Sequence, residues 1–202
     1  MSGHRKLTKA RFLNRIHSIK ETILIAAFCG FFVENANKLK TKKVHTFAEI
    51  LIMSKIRITK QFSFETGHAL YGYDGACKNV HGHSYKLSVT VIGTPITDRS
   101  HVKFGMVIDF SDLKKIVKEE IVDQFDHATV FNATTPHIDL ANDLKARGHD
   151  VILVDYQPTS ENMVIDFANK ITKRLPTGIL LHSLRLQETD TSFAEWFADD
   201  NK

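Results

Sequence analysis

From position 56 onward the chain alternates between apolar and polar residues. Ile56, Ile58, Phe62 and Phe64 recur with the period of two that marks a half-buried strand. A second run, Tyr85, Leu87, Val89 and Val91, has the same period and ends at Gly93-Thr94-Pro95, a turn signal. Residues 106–110 read as a short strand leading into a helix, with Asp109 or Ser111 as its N-cap. Leu113, Ile116, Val117 and Ile121 then give the stripe of a helix buried on one side. Residues 132–150 are polar and irregular, interrupted by Pro136 and Gly148, with room for a short helix. Residues 151–156 form a compact apolar run of strand length. Pro158-Thr159-Ser160-Glu161 opens a second helix, with Val164, Phe167, Ala168, Ile171 and Leu175 on one stripe, and Pro176-Thr177-Gly178 closes it. Leu184 and Leu186 belong to a last long strand, and Phe193–Phe197 to a short return strand. This order predicts an α+β layer: an antiparallel four-stranded sheet with two helices on one face.

Composition changes the picture mainly at the N-terminus. The chain has 202 residues, 43% hydrophobic and 25% charged, which are the values of a globular domain with a real core. Its net charge of +4 is unevenly spread. Residues 1–52 hold ten of the 27 Lys and Arg and three of the 23 Asp and Glu, a net of +7, which leaves −3 for residues 53–202. The main body therefore offers no nucleic-acid surface. Within the basic segment, residues 23–33 form an apolar run of eleven, too short to span a bilayer. Glu21 borders the run and no A-x-A site follows it, which argues against a secretory signal. Met53 opens M-S-K-I-R-I-T, which reads as a native start. Residues 1–52 are then a basic extension outside the functional protein and 53–202 the catalytic domain. An amphipathic docking helix and a targeting segment are the alternatives for 1–52. Cys29 and Cys77 make no disulfide framework, which fits a reducing, cytoplasmic compartment with no membrane partner.

Candidate chemistry concentrates in residues 67–85, which hold His68, His81, His83 and Cys77. His81 and His83, two apart, point to one face of a strand, and His68 has the parity of the apolar face before it. If the two runs pair as a hairpin without a bulge, three imidazoles converge. Such a set suits zinc with a fourth position left open. A closed structural site of one cysteine and three histidines, with Cys77 as fourth ligand, is the competing reading. Glu188 shares the parity of Leu184 and Leu186, so its carboxylate extends a buried face and needs a partner such as two adjacent N–H donors. Alternatively it lies past the strand and is solvated. Asp126-His127 can form an acid/base unit, or be no more than a helix-terminal histidine beside a solvated carboxylate. Glu161, in a first helical turn, offsets the helix dipole.

Together these residues resemble the 6-pyruvoyltetrahydropterin synthase superfamily. The likeness runs through F-x-F-E-x-G-H at 62–68, C-x-x-x-H-G-H at 77–83 and G-M-V-I-D-F-S-D-L-K at 105–114. It continues in F-D-H at 125–127, P-T-S-E-N at 158–162 and Q-E-T at 187–189. The three residues between Cys77 and His81 resemble the branch that forms 6-carboxy-5,6,7,8-tetrahydropterin on the route to queuosine. The resemblance implies the tunnelling fold, in which subunits join into oligomeric barrels, commonly homohexamers, with active sites between subunits. It implies zinc on His68, His81 and His83, proton transfer by Cys77 with Asp126 and His127, and Glu188 as the pterin anchor. Asp126 and His127 reach Cys77 from a neighbouring subunit on this scheme. The implied activity is that of a lyase converting 7,8-dihydroneopterin triphosphate, with no redox cofactor, to the carboxy product, acetaldehyde and triphosphate. Pyruvoyl-type or dihydroneopterin aldolase-like chemistry on the same scaffold is the nearest rival. A zinc-stabilised oligomeric binding module without turnover is the more distant one.

Overall fold

In the computed structural model, the described residues are Thr46, Phe47, Glu49, Ile50 and 54–202. The basic extension and the start at Met53 expected above lie outside the described residues, apart from those first four positions. Two long strands, β1 (Ile56–His68) and β2 (His81–Gly93), form an antiparallel hairpin whose register runs unbroken from Ile56 opposite Gly93 to His68 opposite His81. After β2, α1 (Phe110–Val117) is capped by Asp109, whose side chain accepts the Ser111 N–H. It continues through a π-helical turn, Lys118–Val122, into a short last turn, Asp123–Phe125. There follow β3 (Ala128–Asn132), α2 (His137–Ala146), β4 (Val151–Val154), α3 (Ser160–Arg174), β5 (Leu180–Gln187) and β6 (Phe193–Phe197).

The sheet has six strands in the order β4-β3-β1-β2-β5-β6. The expected sheet of four antiparallel strands is therefore corrected: β1-β2-β5-β6 are antiparallel, but they make up only part of the sheet. The run expected as a strand at 151–156 forms β4, and β3 is the addition; both run parallel to β1 and to each other, so the sheet is mixed. The strand expected at 106–110 does not form. Val107 and Ile108 there are buried as loop anchors, and the loop closes on itself through the Ile96 N–H to Met106 carbonyl and Gly105 N–H to Ile96 carbonyl bonds.

α1 and α3 cover one face. Phe64, Tyr85, Leu87, Val89, Leu184 and Leu186 from the strands meet Leu113, Val117, Phe167 and Ile171 from the helices in a single core. Phe64, Phe125 and Phe167 interlock edge to face at 4.9–6.3 Å between centroids. The third helix, α2, corrects the two-helix expectation. Its Ala141 packs with Phe131 and Val151, while the alternate residues Val130 and Ile152 face the main core. By the period of two, α2 therefore lies on the other face, at the β3–β4 edge. The rest of that face, along β1 and β2, is polar. Thr59 pairs with Thr90, Gln61 donates to Ser88, and Ser84 donates to Glu65.

Candidate metal centre

The β1–β2 hairpin carries the site at its loop end. His68 faces His81, and Thr66 faces His83, so all three imidazoles continue the core face beyond Phe64 and Tyr85. Between these two pairs stand Gly67 and Gly82. A side chain at Gly82 would bring its Cβ within 3.2 Å of the Thr66 carbonyl oxygen, a backbone atom that cannot swing away. The close approach of the two strands thus depends on glycine here.

One ring nitrogen from each of His68, His81 and His83 lies within 4.8 Å of the others. His68 Nε2 and His81 Nε2 are 3.2 Å apart. Tetrahedral ligands at about 2.05 Å from an ion sit roughly 3.3 Å from each other, so the spacing fits a shared metal ion. The tautomers fit as well. His68 Nδ1 donates to the Pro158 carbonyl at 2.7 Å, and His81 Nδ1 donates to the Asn79 carbonyl at 2.9 Å. A carbonyl can only accept, so both Nδ1 atoms carry the proton and both Nε2 lone pairs are free. His83 Nε2 is buried without a hydrogen-bond partner. Burial pushes the His68 imidazolium below its ordinary value of 6.5. The Pro158 carbonyl and Glu188 oppose the shift, and His81 and His83 add to it. Burial lowers His83 in the same direction. Converging imidazole nitrogens with free lone pairs are what a divalent cation requires; this trio can hold a metal ion.

Glu188 stands one residue beyond β5 and still turns inward. Its Oε1 is 3.5 Å from His68 Nε2 and 3.4 Å from His83 Nε2, and it accepts the Tyr85 hydroxyl at 3.1 Å. Burial and the Glu188 charge push the Tyr85 phenol well above its usual range, so it stays a donor. Cys77 sits half-buried in a 3₁₀ turn, Ala76–Lys78, with its carbonyl accepting the Leu70 N–H at 3.0 Å. It is close enough for a thiolate there to raise the Tyr85 hydroxyl further. Glu161 is exposed in the first turn of α3.

Asp126 and His127 follow the last turn of α1 and are held on β1. Asp126 Oδ1 accepts the Glu65 N–H at 2.9 Å and lies 3.1 Å from His127 Nδ1. That backbone bond, with the His127 ring, lowers the Asp126 carboxyl. His127 adopts a left-handed backbone, φ 62°, with its N–H donated to the Glu65 carbonyl at 2.6 Å. Its side chain is 78% exposed and borders a depression that Glu65, Gly67, His83, Ser84 and Thr129 also line. Glu65 and Gly67 alternate with the core-facing Thr66 and His68, so by parity the pair stands on the side of β1 opposite the His68 ring. Among the described residues, no hydrogen bond or ion pair joins Cys77 to Asp126 or His127.

Residues 57–199 match the family model described as 6-pyruvoyl tetrahydropterin synthase. The chain belongs to the 6-pyruvoyl tetrahydropterin synthase family. It is 39% identical over 141 residues to a 6-carboxy-5,6,7,8-tetrahydropterin synthase of Haemophilus influenzae, covering 69% of this chain and 97% of that protein. It is 29% identical over 150 residues to the human 6-pyruvoyl tetrahydrobiopterin synthase, covering 67% of this chain and 87% of that one. Among solved structures, the Caenorhabditis elegans 6-pyruvoyl tetrahydropterin synthase superposes with a TM-score of 0.53 at 23% identity, over 72% of this chain and 97% of its own. That of Plasmodium falciparum gives 0.54 at 20% identity, over 71% and 97%. These two show the fold. The family is one of enzymes, and among the described residues no helix is long and apolar enough to cross a membrane.

Three participants were not anticipated from the sequence: Tyr85, and the Pro158 and Asn79 carbonyls. Tyr85 had a signal, since H-x-H-x-Y gives it the parity of the imidazoles. The carbonyls had none, because any residue can supply one.

Proposed function

We propose that this chain converts 7,8-dihydroneopterin triphosphate to 6-carboxy-5,6,7,8-tetrahydropterin, with loss of acetaldehyde and triphosphate, as a zinc-dependent carbon–carbon lyase in the cytoplasm. The observation that carries the reading is the convergence of His68, His81 and His83 beside an inward-turned Glu188. The relatives named 6-carboxy-5,6,7,8-tetrahydropterin synthase, which the chain covers almost entirely, support the carboxy product and with it a place in queuosine synthesis.

His68, His81 and His83 would hold the zinc ion through Nε2. Zinc, when bound, supplies a Lewis acid for the substrate's side-chain oxygens and stabilises negative charge as C–H bonds break. Glu188 anchors the pterin, its carboxylate accepting from the N–H groups of the amino-pyrimidinone edge and so orienting the side chain. Cys77, as thiolate, removes a proton next to the ring. His127 carries protons at the side chain, with Asp126 on Nδ1 fixing the ring and its tautomer. Elimination of triphosphate leaves a diketone side chain; a water molecule adds to the carbonyl next to the ring, and cleavage of the bond between the two carbonyl carbons then gives the ring carboxylate and acetaldehyde.

Because Asp126 and His127 stand on the side of β1 opposite the His68 ring of their own chain, we place them against Cys77 of a neighbouring subunit in a homohexamer. The edge strands β4 and β6, at either end of the sheet, are what ring assembly would cover. The family match over residues 57–199 supports placing the whole catalytic unit after the basic N-terminal segment.

Mass analysis of products from dihydroneopterin triphosphate tests the reading. Acetaldehyde and the carboxypterin support it. A 6-pyruvoyl product would move the chain to the biopterin-type reaction, glycolaldehyde would indicate aldolase-like cleavage, and unchanged substrate would leave a binding module.

A further inference from the structure

Tyr85 is wholly buried, yet it is a tyrosine where a phenylalanine would fill the same space. A buried hydroxyl is costly unless it is bonded. Its hydrogen bond goes to Glu188 Oε1 at 3.1 Å. The ring itself cannot drift. It stacks on Phe64 at 5.6 Å between centroids and meets the edges of His68 and His83 at 6.3 and 5.6 Å. It also stands two residues after His83 on the same strand, so one rigid pleat sets both the imidazole and the hydroxyl.

Glu188 is less constrained. It lies past the end of β5, its backbone N–H bonded to the Ser192 carbonyl across a turn, and its side chain has three free torsions. Its Oε1 faces two imidazole nitrogens at 3.4 and 3.5 Å, while Oε2 makes no hydrogen bond among the described residues. A carboxylate so near a three-nitrogen metal site has two competing uses: as a further ligand to the ion, or as an anchor for the substrate ring.

We propose that the Tyr85 hydroxyl is the positioning group that settles this competition. By donating to Oε1 it fixes the carboxylate beside the imidazoles without ceding it to the metal, and it keeps Oε2 for the N–H donors of the pterin. This rests on the reading of Glu188 as the pterin anchor.

The test is a double-mutant cycle on the zinc-loaded protein: wild type, Tyr85→Phe, Glu188→Gln and the two combined. Phenylalanine retains every ring contact, and melting curves report that each variant is folded. Two quantities are measured, the Kd for neopterin by its fluorescence and the zinc content per chain. Tyr85→Phe is expected to weaken neopterin binding about five- to tenfold with zinc content unchanged. Added to Glu188→Gln, it should cause no further loss, because its effect passes through that carboxylate. In turnover, the same variant should raise KM more than it lowers kcat. The inference is overturned if Tyr85→Phe binds neopterin like the wild type while Glu188→Gln is weakened, if the two losses simply add, or if Tyr85→Phe loses zinc. If Glu188→Gln itself binds neopterin normally, the anchor reading fails first and takes the inference with it.

Discussion

The Nε2 atoms of His68 and His81 face each other across the β1–β2 hairpin at 3.2 Å. Each ring is turned by a backbone carbonyl on its far side, so the two lone pairs meet by construction and not by chance rotamers. Removing one ring should therefore empty the site without disturbing the fold. His81 is only half-buried and outside the apolar core. His81→Ala is expected to lose bound zinc and turnover together while its far-ultraviolet dichroism stays that of the wild type. Metal analysis after gel filtration measures the first, and a full zinc complement in the variant would remove His81 from the ligand set.

The metal-free protein should weaken in mild acid. Both His68 and His83 have folded-state values below the 6.5 of a free imidazole, chiefly because of burial. As pH falls past 6.5, the unfolded chain takes up protons that the folded chain resists. Stability therefore falls from that point downward and levels off only when the folded rings also titrate, whereas above it these groups contribute nothing. Urea midpoints of chelator-treated protein should decline from about pH 7 to about pH 5. The decline should be smaller after His68→Phe, which retains a buried ring but no titrating nitrogen. Identical slopes in the two proteins would assign the acid sensitivity elsewhere.

If Asp126 and His127 serve Cys77 of a neighbouring subunit, as proposed, inactive variants should complement one another. Cys77→Ala and His127→Ala should each be inactive and each retain zinc, since neither residue is among the three converging nitrogens. Mixed, unfolded and reassembled together, they should recover turnover, because some interfaces pair an intact Cys77 with an intact His127. No recovery from a mixture that reassembles to wild-type size would place both groups within one chain.

His127 also stores backbone strain, at φ 62°. Only glycine occupies that region freely, and a β-branched residue does so worst. His127→Gly should keep or slightly raise the denaturation midpoint while abolishing turnover, whereas His127→Val should cost roughly 1–2 kcal/mol. Equal midpoints for the two would mean that the turn relaxes in the variants.

The sequence made the antiparallel half of the fold readable because β1 and β2 alternate without a bulge, so the parity of His68, His81 and His83 survived into space. The parallel half was legible only in part: the apolar run at 151–156 marked β4, while β3 was hidden. In β3 the five residues are apolar or polar without alternation, and every one but Thr129 is buried, so period two carries no signal there. Helix α2 has only Ala141 fully buried, so its stretch reads as polar and irregular, with room for a short helix but no apolar stripe to fix one. Residues 106–110 misled in the opposite sense. They are apolar enough for a strand, but an element needs a ladder partner as well as a pattern, and Val107 and Ile108 serve as plugs on a loop. The inward turn of Glu188 was legible from parity, as was that of Tyr85, but the bond between them was not, since a cross-strand hydrogen bond over 103 positions leaves no local trace.

The ligand sphere decides the account. X-ray absorption on the zinc-loaded protein should show three imidazole nitrogens and one oxygen at about 2.0–2.1 Å, and Cys77→Ala should leave the spectrum unchanged. A sulfur scatterer near 2.3 Å that disappears in Cys77→Ala would make the ion structural, closed by the thiolate, and would contradict a vacant position for substrate.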